Sequence, residues 1–127
     1  PEVGRVGLTH VEAIKAHGAG AVQTLVRPMS SVDRALCMGE DERGFIKLVY
    51  RRDGTILGAT VVGPSAGELI SEISLAISAK VELSRLASVM HAYPTISIAL
   101  QQMAAEVKYA ELERLMPLYN VLKRMGV

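Results

Sequence analysis

The chain has 127 residues, half of them hydrophobic, and a formal net charge of +1 with its histidines neutral. That length allows one domain with its own core, while the near-neutral charge balance and the lack of a basic, aromatic-interleaved cluster argue against nucleic-acid or acidic-membrane binding. One cysteine, Cys37, excludes an internal disulfide or a cysteine-rich metal site and fits a reducing, cytoplasmic setting; no apolar run approaches the ~18 residues of a membrane span.

Aromatic residues make up only 4% of the chain and tryptophan is absent, so the core must come from Val, Ile, Leu, Met and Ala. "VGRVGL" predicts a short strand over Val3–Leu8. In "THVEAIKAHG", Thr9 and Glu12 form a capping box, in which each side chain satisfies the other's free backbone N–H. A short helix follows, with Val11 and Ile14 on one face and Gly18 as its stop. "AVQTLVRP" predicts a strand over Ala21–Pro28, and a helical turn is expected around Val32–Leu36.

The clearest local signal is a hairpin. Phe45–Arg51 and Thr55–Val62 are β-rich, and Asp53-Gly54 between them tolerates positive φ. The period then switches. Leu69, Ile70, Ile73, Ala76 and Ile77 recur at helical spacing, predicting an amphipathic helix over Ala66–Ala79. Ser84 opens a brief helical turn. Further on, Leu100, Met103, Val107 and Ala110 form a helical stripe. Pro117 is expected to interrupt it, with a last short helix ending near Gly126. A hairpin implies antiparallel pairing and the helices gather at the C-terminal end. The expected class is therefore α+β, a mostly antiparallel sheet with helices packed on it and a helical C-terminal tail.

Several residues draw attention as sites. His10 and His17 share a helical face, but no carboxylate completes a metal motif with them. His91 and Ser97 lie in "VMHAYPTISIAL", where no nucleophile-elbow glycine pattern supports a triad and Ser97 stands where a helix needs a cap. "GPSAGE", Gly63–Glu68, leads into a helix whose N-terminus suits an anion, yet the Walker lysine and the full dinucleotide fingerprint are missing. A tight strand-to-helix turn is the simpler reading. Cys37 has no CxxC partner. The six methionines are scattered and read as packing residues or as part of a subunit contact. Tyr93-Pro94 is a good place for a cis bond.

Three stretches in order, "PEVGRVGLTHVEA", "DRALCMGEDERGFIKLVYRRDGTILGATVVGPSAGELI" and "HAYPTIS", carry a family resemblance over residues 1 to about 97. The chain resembles the C-terminal dimerisation domain of the pyridine nucleotide-disulfide oxidoreductases. These flavoenzymes include dihydrolipoamide dehydrogenase, glutathione reductase and mercuric reductase. The resemblance implies a single interface domain over residues 1–127, following FAD and NAD(P) domains and a redox-active cysteine pair in a longer chain. The start at Pro1 rather than Met agrees with that expectation. It also implies a homodimer in which the loop of Tyr93, Pro94 and Thr95 reaches the partner subunit's FAD, with the Tyr93 carbonyl towards the flavin ring. FAD and NAD(P)H are the expected cofactors of the whole enzyme, and the domain alone is expected to bind none and to be inactive.

The resemblance fails at one reactive point. Thiol-handling members carry His just before this proline and Glu five residues after that His, a proton-transfer dyad. Here Tyr93 and Ile98 stand at those positions. A tyrosine with an ordinary pKa of ~10 is a poor base near neutrality, and Ile98 cannot orient an imidazole. His91, about 6–7 Å back along an extended segment, is no simple substitute. Mercuric reductases also lack the dyad, so the resemblance shifts towards them, although "LKRMGV" holds no counterpart of their C-terminal cysteine pair. The expected activity is that of an NAD(P)H-dependent flavoprotein disulfide or metal reductase. The alternative is a stand-alone α+β binding or regulatory module, which explains the hairpin and caps but not the ordered family stretches.

Overall fold

The computed structural model of the chain describes residues 1–40 and 43–125. Strands β1 (Glu2–Gly7), β2 (Val22–Pro28), β3 (Phe45–Arg51) and β4 (Ile56–Gly63) form one sheet in the order β1-β4-β3-β2. Every neighbouring pair is antiparallel. Helices α1 (His10–His17), α2 (Asp33–Met38), α3 (Ala66–Ser78), α4 (Leu83–Leu86) and α5 (Ile98–Arg124) complete the domain, with a 3₁₀ turn at Met29–Ser31. The α+β class expected from the sequence is what the chain adopts.

The β3–β4 hairpin closes as its sequence dictates. Gly54 takes φ 88°, a region that a side chain disfavours. Asp53 Oδ1 accepts from the Thr55 amide at 3.0 Å, and Asp53 also pairs with Arg51. That pairing and those hydrogen bonds hold the Asp53 carboxyl well below its ordinary range. Register shifts between Val49 and Tyr50: Val49 faces Gly58 and Tyr50 faces Ile56, which leaves Leu57 as the extra residue of a bulge. Its carbonyl accepts instead from the Leu8 amide at 2.9 Å.

The sheet divides the apolar residues into two clusters. On one face, Ile46, Leu48 and Val61 pack under Leu69 and Ile73 of α3 and Leu100 and Met103 of α5. Each fully buried side chain of that size contributes about 1.5–3 kcal/mol. Helix α3 sits close on β1 because Gly4 has no side chain: a Cβ there would stand 2.6 Å from Ile70 Cγ1. Arg27 of β2 reaches α5, donating to Gln102 Oε1 at 2.7 Å and pairing with Glu106. On the other face, Ala13 of α1 packs with Val22 and Val49. The expected face of Val11 and Ile14 is corrected. Val11 is exposed and Ala13 makes the buried contact beside Ile14, because a short helix lying flat on a sheet puts its smallest apolar residue closest.

Three further expectations change. Helix α5 runs through Pro117 to Arg124 rather than breaking. Proline removes one N–H, but the Glu113 carbonyl that would have accepted it lies on an exposed stretch that water can reach. The expected end near Gly126 lies outside the described residues. Ser84 does not open α4, whose N-cap position is Glu82. The stripe of α5 is buried at Leu100 and Met103, half-buried at Val107 and exposed at Ala110, so the helix leaves the body one turn earlier than its periodicity suggests. Among the described residues no helix is long and apolar enough to cross a membrane.

Candidate functional site

The loop of residues 87–97 connects α4 to α5 and contains the Tyr93–Pro94 bond, which is cis. Three side chains pin it to the body. His91 Nε2 meets Glu72 Oε1 of α3 at 2.6 Å, and its Nδ1 meets the Val89 carbonyl at 3.0 Å. The Tyr93 hydroxyl donates to Asp33 Oδ2 of α2 at 3.0 Å. Thr95 Oγ1 donates to the Ala92 carbonyl at 2.7 Å and accepts from the Ile98 amide at 3.2 Å.

The last bond corrects an expectation. Ser97 does not cap α5. Its own backbone is already helical, at φ −67° and ψ −24°, and its side chain makes no capping bond. Thr95, three residues before Ile98, occupies the spacing at which a hydroxyl reaches a free helix amide. Chain-entry geometry decides this. Ser97 is already helical and the Ala99 amide bonds back to the Ile96 carbonyl at 3.2 Å, so the cap falls earlier.

Pinning fixes the chemistry. Both ring nitrogens of His91 are engaged, and its side chain is only 7% exposed, so it is a strut rather than a free base. Tyr93 is 66% exposed, and its pKa is raised because its hydroxyl is held by the Asp33 carboxylate, whose negative charge also opposes a phenolate. Near neutrality it is a hydrogen-bond donor. Ile98 is half-buried as the first residue of α5 and offers no acid or base. The tip therefore presents Met90, Tyr93 and Pro94 outward, on a backbone held from behind. A cleft of about 350 Å³ lies next to it, lined by residues that include Ser65, Glu68, Glu72 and Thr95.

Other residues singled out by the sequence fall elsewhere. His10 and His17 are the first and last residues of α1. Among the described residues no three His, Cys, Asp or Glu gather where a metal could be held. Thr9 and Glu12 form the expected capping box, and the Thr9 backbone N–H bound to the carboxylate leads the causes that lower the Glu12 pKa. Cys37 is exposed on α2, one turn beyond Asp33. The α3 N-terminus after "GPSAGE" already has an anion of its own: Glu2 Oε2 accepts from the Gly67 amide at 3.1 Å. Sequence reasoning missed Asp33 and Glu72. Their partners lie 60 and 19 residues away, and nothing local marks either pairing.

Residues 1–104 match the family model described as the pyridine nucleotide-disulphide oxidoreductase dimerisation domain. The chain belongs to that family. Dihydrolipoyl dehydrogenase of Halobacterium salinarum is 40% identical over 105 residues, which is 82% of this chain and 22% of the relative. The enzyme of the same name from Bacillus subtilis is 39% identical over 108 residues, 84% of this chain and again 22% of the relative. The dimerisation domain thus spans about a fifth of the length of the curated relatives it matches. Among solved structures, LpdA from Mycobacterium tuberculosis superposes with a TM-score of 0.75 at 30% identity, over 84% of this chain and 23% of that one. The Cu(II) complex of the HOCl-induced flavoprotein disulfide reductase RclA from Escherichia coli gives 0.75 at 24% identity, over 83% and 23%, a likeness of fold alone.

Proposed function

We propose that residues 1–127 are the homodimerisation domain of a cytoplasmic, FAD-dependent NAD(P)H oxidoreductase, joined to upstream FAD and NAD(P) domains. The family match over residues 1–104 is the observation that carries this reading. The loop of Tyr93, Pro94 and Thr95 completes the flavin site of the partner subunit. Its fit to that task rests on two properties of the chain: the loop is held from behind at His91, Tyr93 and Thr95, and its outer side is exposed. Rigid, exposed elements are what position groups against a cofactor held by another body. The flavin, when bound, would take a hydride from the nicotinamide and pass on its one electron pair, releasing the proton. The residues here orient and enclose it.

Tyr93 and Ile98 point to the acceptor. Reducing a lipoamide-like disulfide uses a base near neutral pKa to move protons, and neither residue supplies one. A metal-ion acceptor needs electrons without that proton pair, so the reading is mercuric-reductase-like within a group whose sequence relatives are dihydrolipoyl dehydrogenases. The test uses the full-length enzyme. It is expected to purify as a yellow dimer whose flavin is bleached anaerobically by NADH or NADPH, with turnover on Hg(II) exceeding turnover on lipoamide. A protein without flavin would overturn the enzyme reading, and lipoamide turnover exceeding that on Hg(II) would overturn the choice of acceptor. Tyr93→Phe is expected to keep turnover within about tenfold of the wild type, since a working acid–base group contributes about 10²–10⁴.

A further inference from the structure

The family match ends at residue 104, but α5 continues to Arg124. Lys108 and the turn of Ala110, Glu111 and Arg114 still border clefts against the body, but the described side chains from Lys108 to Arg124, about 25 Å of helix, are all exposed. This part is not a polar, solvated helix. Leu112, Leu115, Tyr119 and Leu122 are between 40% and 57% exposed. Their spacing of three, four and three is the a/d seam of a two-helix contact. At 100° per residue the seam is turned by about a quarter turn from the face carrying Leu100 and Met103, so it is not simply a continuation of the core stripe. Pro117 falls on the side opposite the seam, where its missing N–H disturbs no contact.

We infer that this seam packs antiparallel against the same seam of a second copy of the chain. The inference rests on the dimerising role proposed above and adds a contact outside the family domain. An isologous contact must be self-complementary, and this one is. In the antiparallel register centred on residue 117, Leu112 faces Leu122 and Leu115 faces Tyr119, so all four seam residues find an apolar partner. A parallel pairing would set Lys123 and Arg124 against their own copies, whereas the antiparallel one separates these ends and opposes the helix dipoles. Four residues fall short of the roughly 800 Å² per partner that a stable interface buries. The helix pair therefore extends a dimer contact made by the rest of the domain rather than replacing it.

Cysteine cross-linking in the full-length protein tests the register, in a background with Cys37→Ser. Leu112→Cys and Leu122→Cys lie about 15 Å apart along one helix, too far for an internal disulfide. Between antiparallel copies they are neighbours, while each residue lies about 15 Å from its own counterpart. A preformed pair raises the local thiol concentration to about millimolar, so at micromolar protein the double variant is expected to form covalent dimers on the order of a hundredfold faster than either single variant. Leu115→Glu is expected to weaken self-association by roughly tenfold or more, as a charge placed in an apolar seam does. Equal cross-linking by single and double variants would overturn the register. A dimer in sedimentation that neither cross-links nor responds to Leu115→Glu would overturn the helix pairing while leaving the dimer reading intact. A monomer at all concentrations would overturn both.

Discussion

Tyr93 and Asp33, 60 residues apart in sequence, are joined by a 3.0 Å hydrogen bond from the phenol to the carboxylate. The bond fixes where the exposed ring lies and what its hydroxyl can do. The Tyr93 pKa is raised, first by that bond and then by the Asp33 charge. The folded state therefore holds this proton more tightly than the unfolded chain. Stability from the shift is fully present below the ordinary tyrosine pKa and is lost as pH rises through the folded value. In an ultraviolet titration of the phenolates, two tyrosines are expected to titrate late, Tyr50 because burial raises its pKa and Tyr93 because Asp33 does, and Asp33→Asn is expected to bring only the Tyr93 midpoint down towards 10. A Tyr93 midpoint indifferent to Asp33→Asn would show that the bond does not form in solution.

His91 and Glu72 form the second strut, with a 2.6 Å contact on a side chain only 7% exposed. Losing the imidazole strips the Val89 carbonyl and the Glu72 carboxylate of a partner at once. A charge-assisted bond of this kind is worth about 1.5–3 kcal/mol, so His91→Ala is expected to lower unfolding stability by about 1–3 kcal/mol. A double-mutant cycle with Glu72→Ala, read by urea denaturation, is expected to give a coupling of at least about 1 kcal/mol. Additive losses would mean that the two residues do not act on each other.

Much of the fold was legible because its signals are local. The hairpin needs only Asp53-Gly54 between two β-rich runs, and the capping box needs only Thr9 and Glu12. Helix α3 shows its buried face through the spacing of Leu69, Ile73 and Ala76. The exposed loop of Tyr93, Pro94 and Thr95 stood out in the sequence, but its supports did not. Asp33 and Glu72 look like ordinary surface carboxylates until the chain folds, and which carboxylate meets the loop depends on how α2 and α3 are placed. The Pro117 reading failed for a different reason. Local propensity weighs the lost N–H, but the exposed Glu113 carbonyl can bond to water, and the leucines and methionine around the proline favour helix.

Thr95 and Ser97 offer a direct test of the cap. Thr95 Oγ1 serves the Ile98 amide and the Ala92 carbonyl, whereas Ser97 makes no capping bond. Thr95→Ala is expected to cost about 0.5–2 kcal/mol, the range for losing an N-cap. Ser97→Ala removes only the 3.2 Å contact of its hydroxyl with Thr95 Oγ1 and is expected to cost less, about 0.5 kcal/mol. Thermal denaturation of the two variants side by side distinguishes them. A larger loss at Ser97 would return the cap to the position that its sequence alone suggests.

Pro117 bears on the outer half of α5. A proline inside a helix is about 3 kcal/mol less favourable than alanine, and here it leaves the helix without one bond, from residue 117 to the Glu113 carbonyl. Pro117→Ala restores that donor at an exposed position with no packing to disturb. Hydrogen exchange at the amides of residues 115–121 is expected to slow by on the order of ten- to a hundredfold, while exchange at Leu100 and Met103 in the buried half stays unchanged. If the outer half already exchanged as slowly as the buried half, with no response to Pro117→Ala, contacts other than the helix's own bonds would be holding it. A slowing that spread to the buried half would mean that α5 opens as a single unit, with the proline as its weakest point.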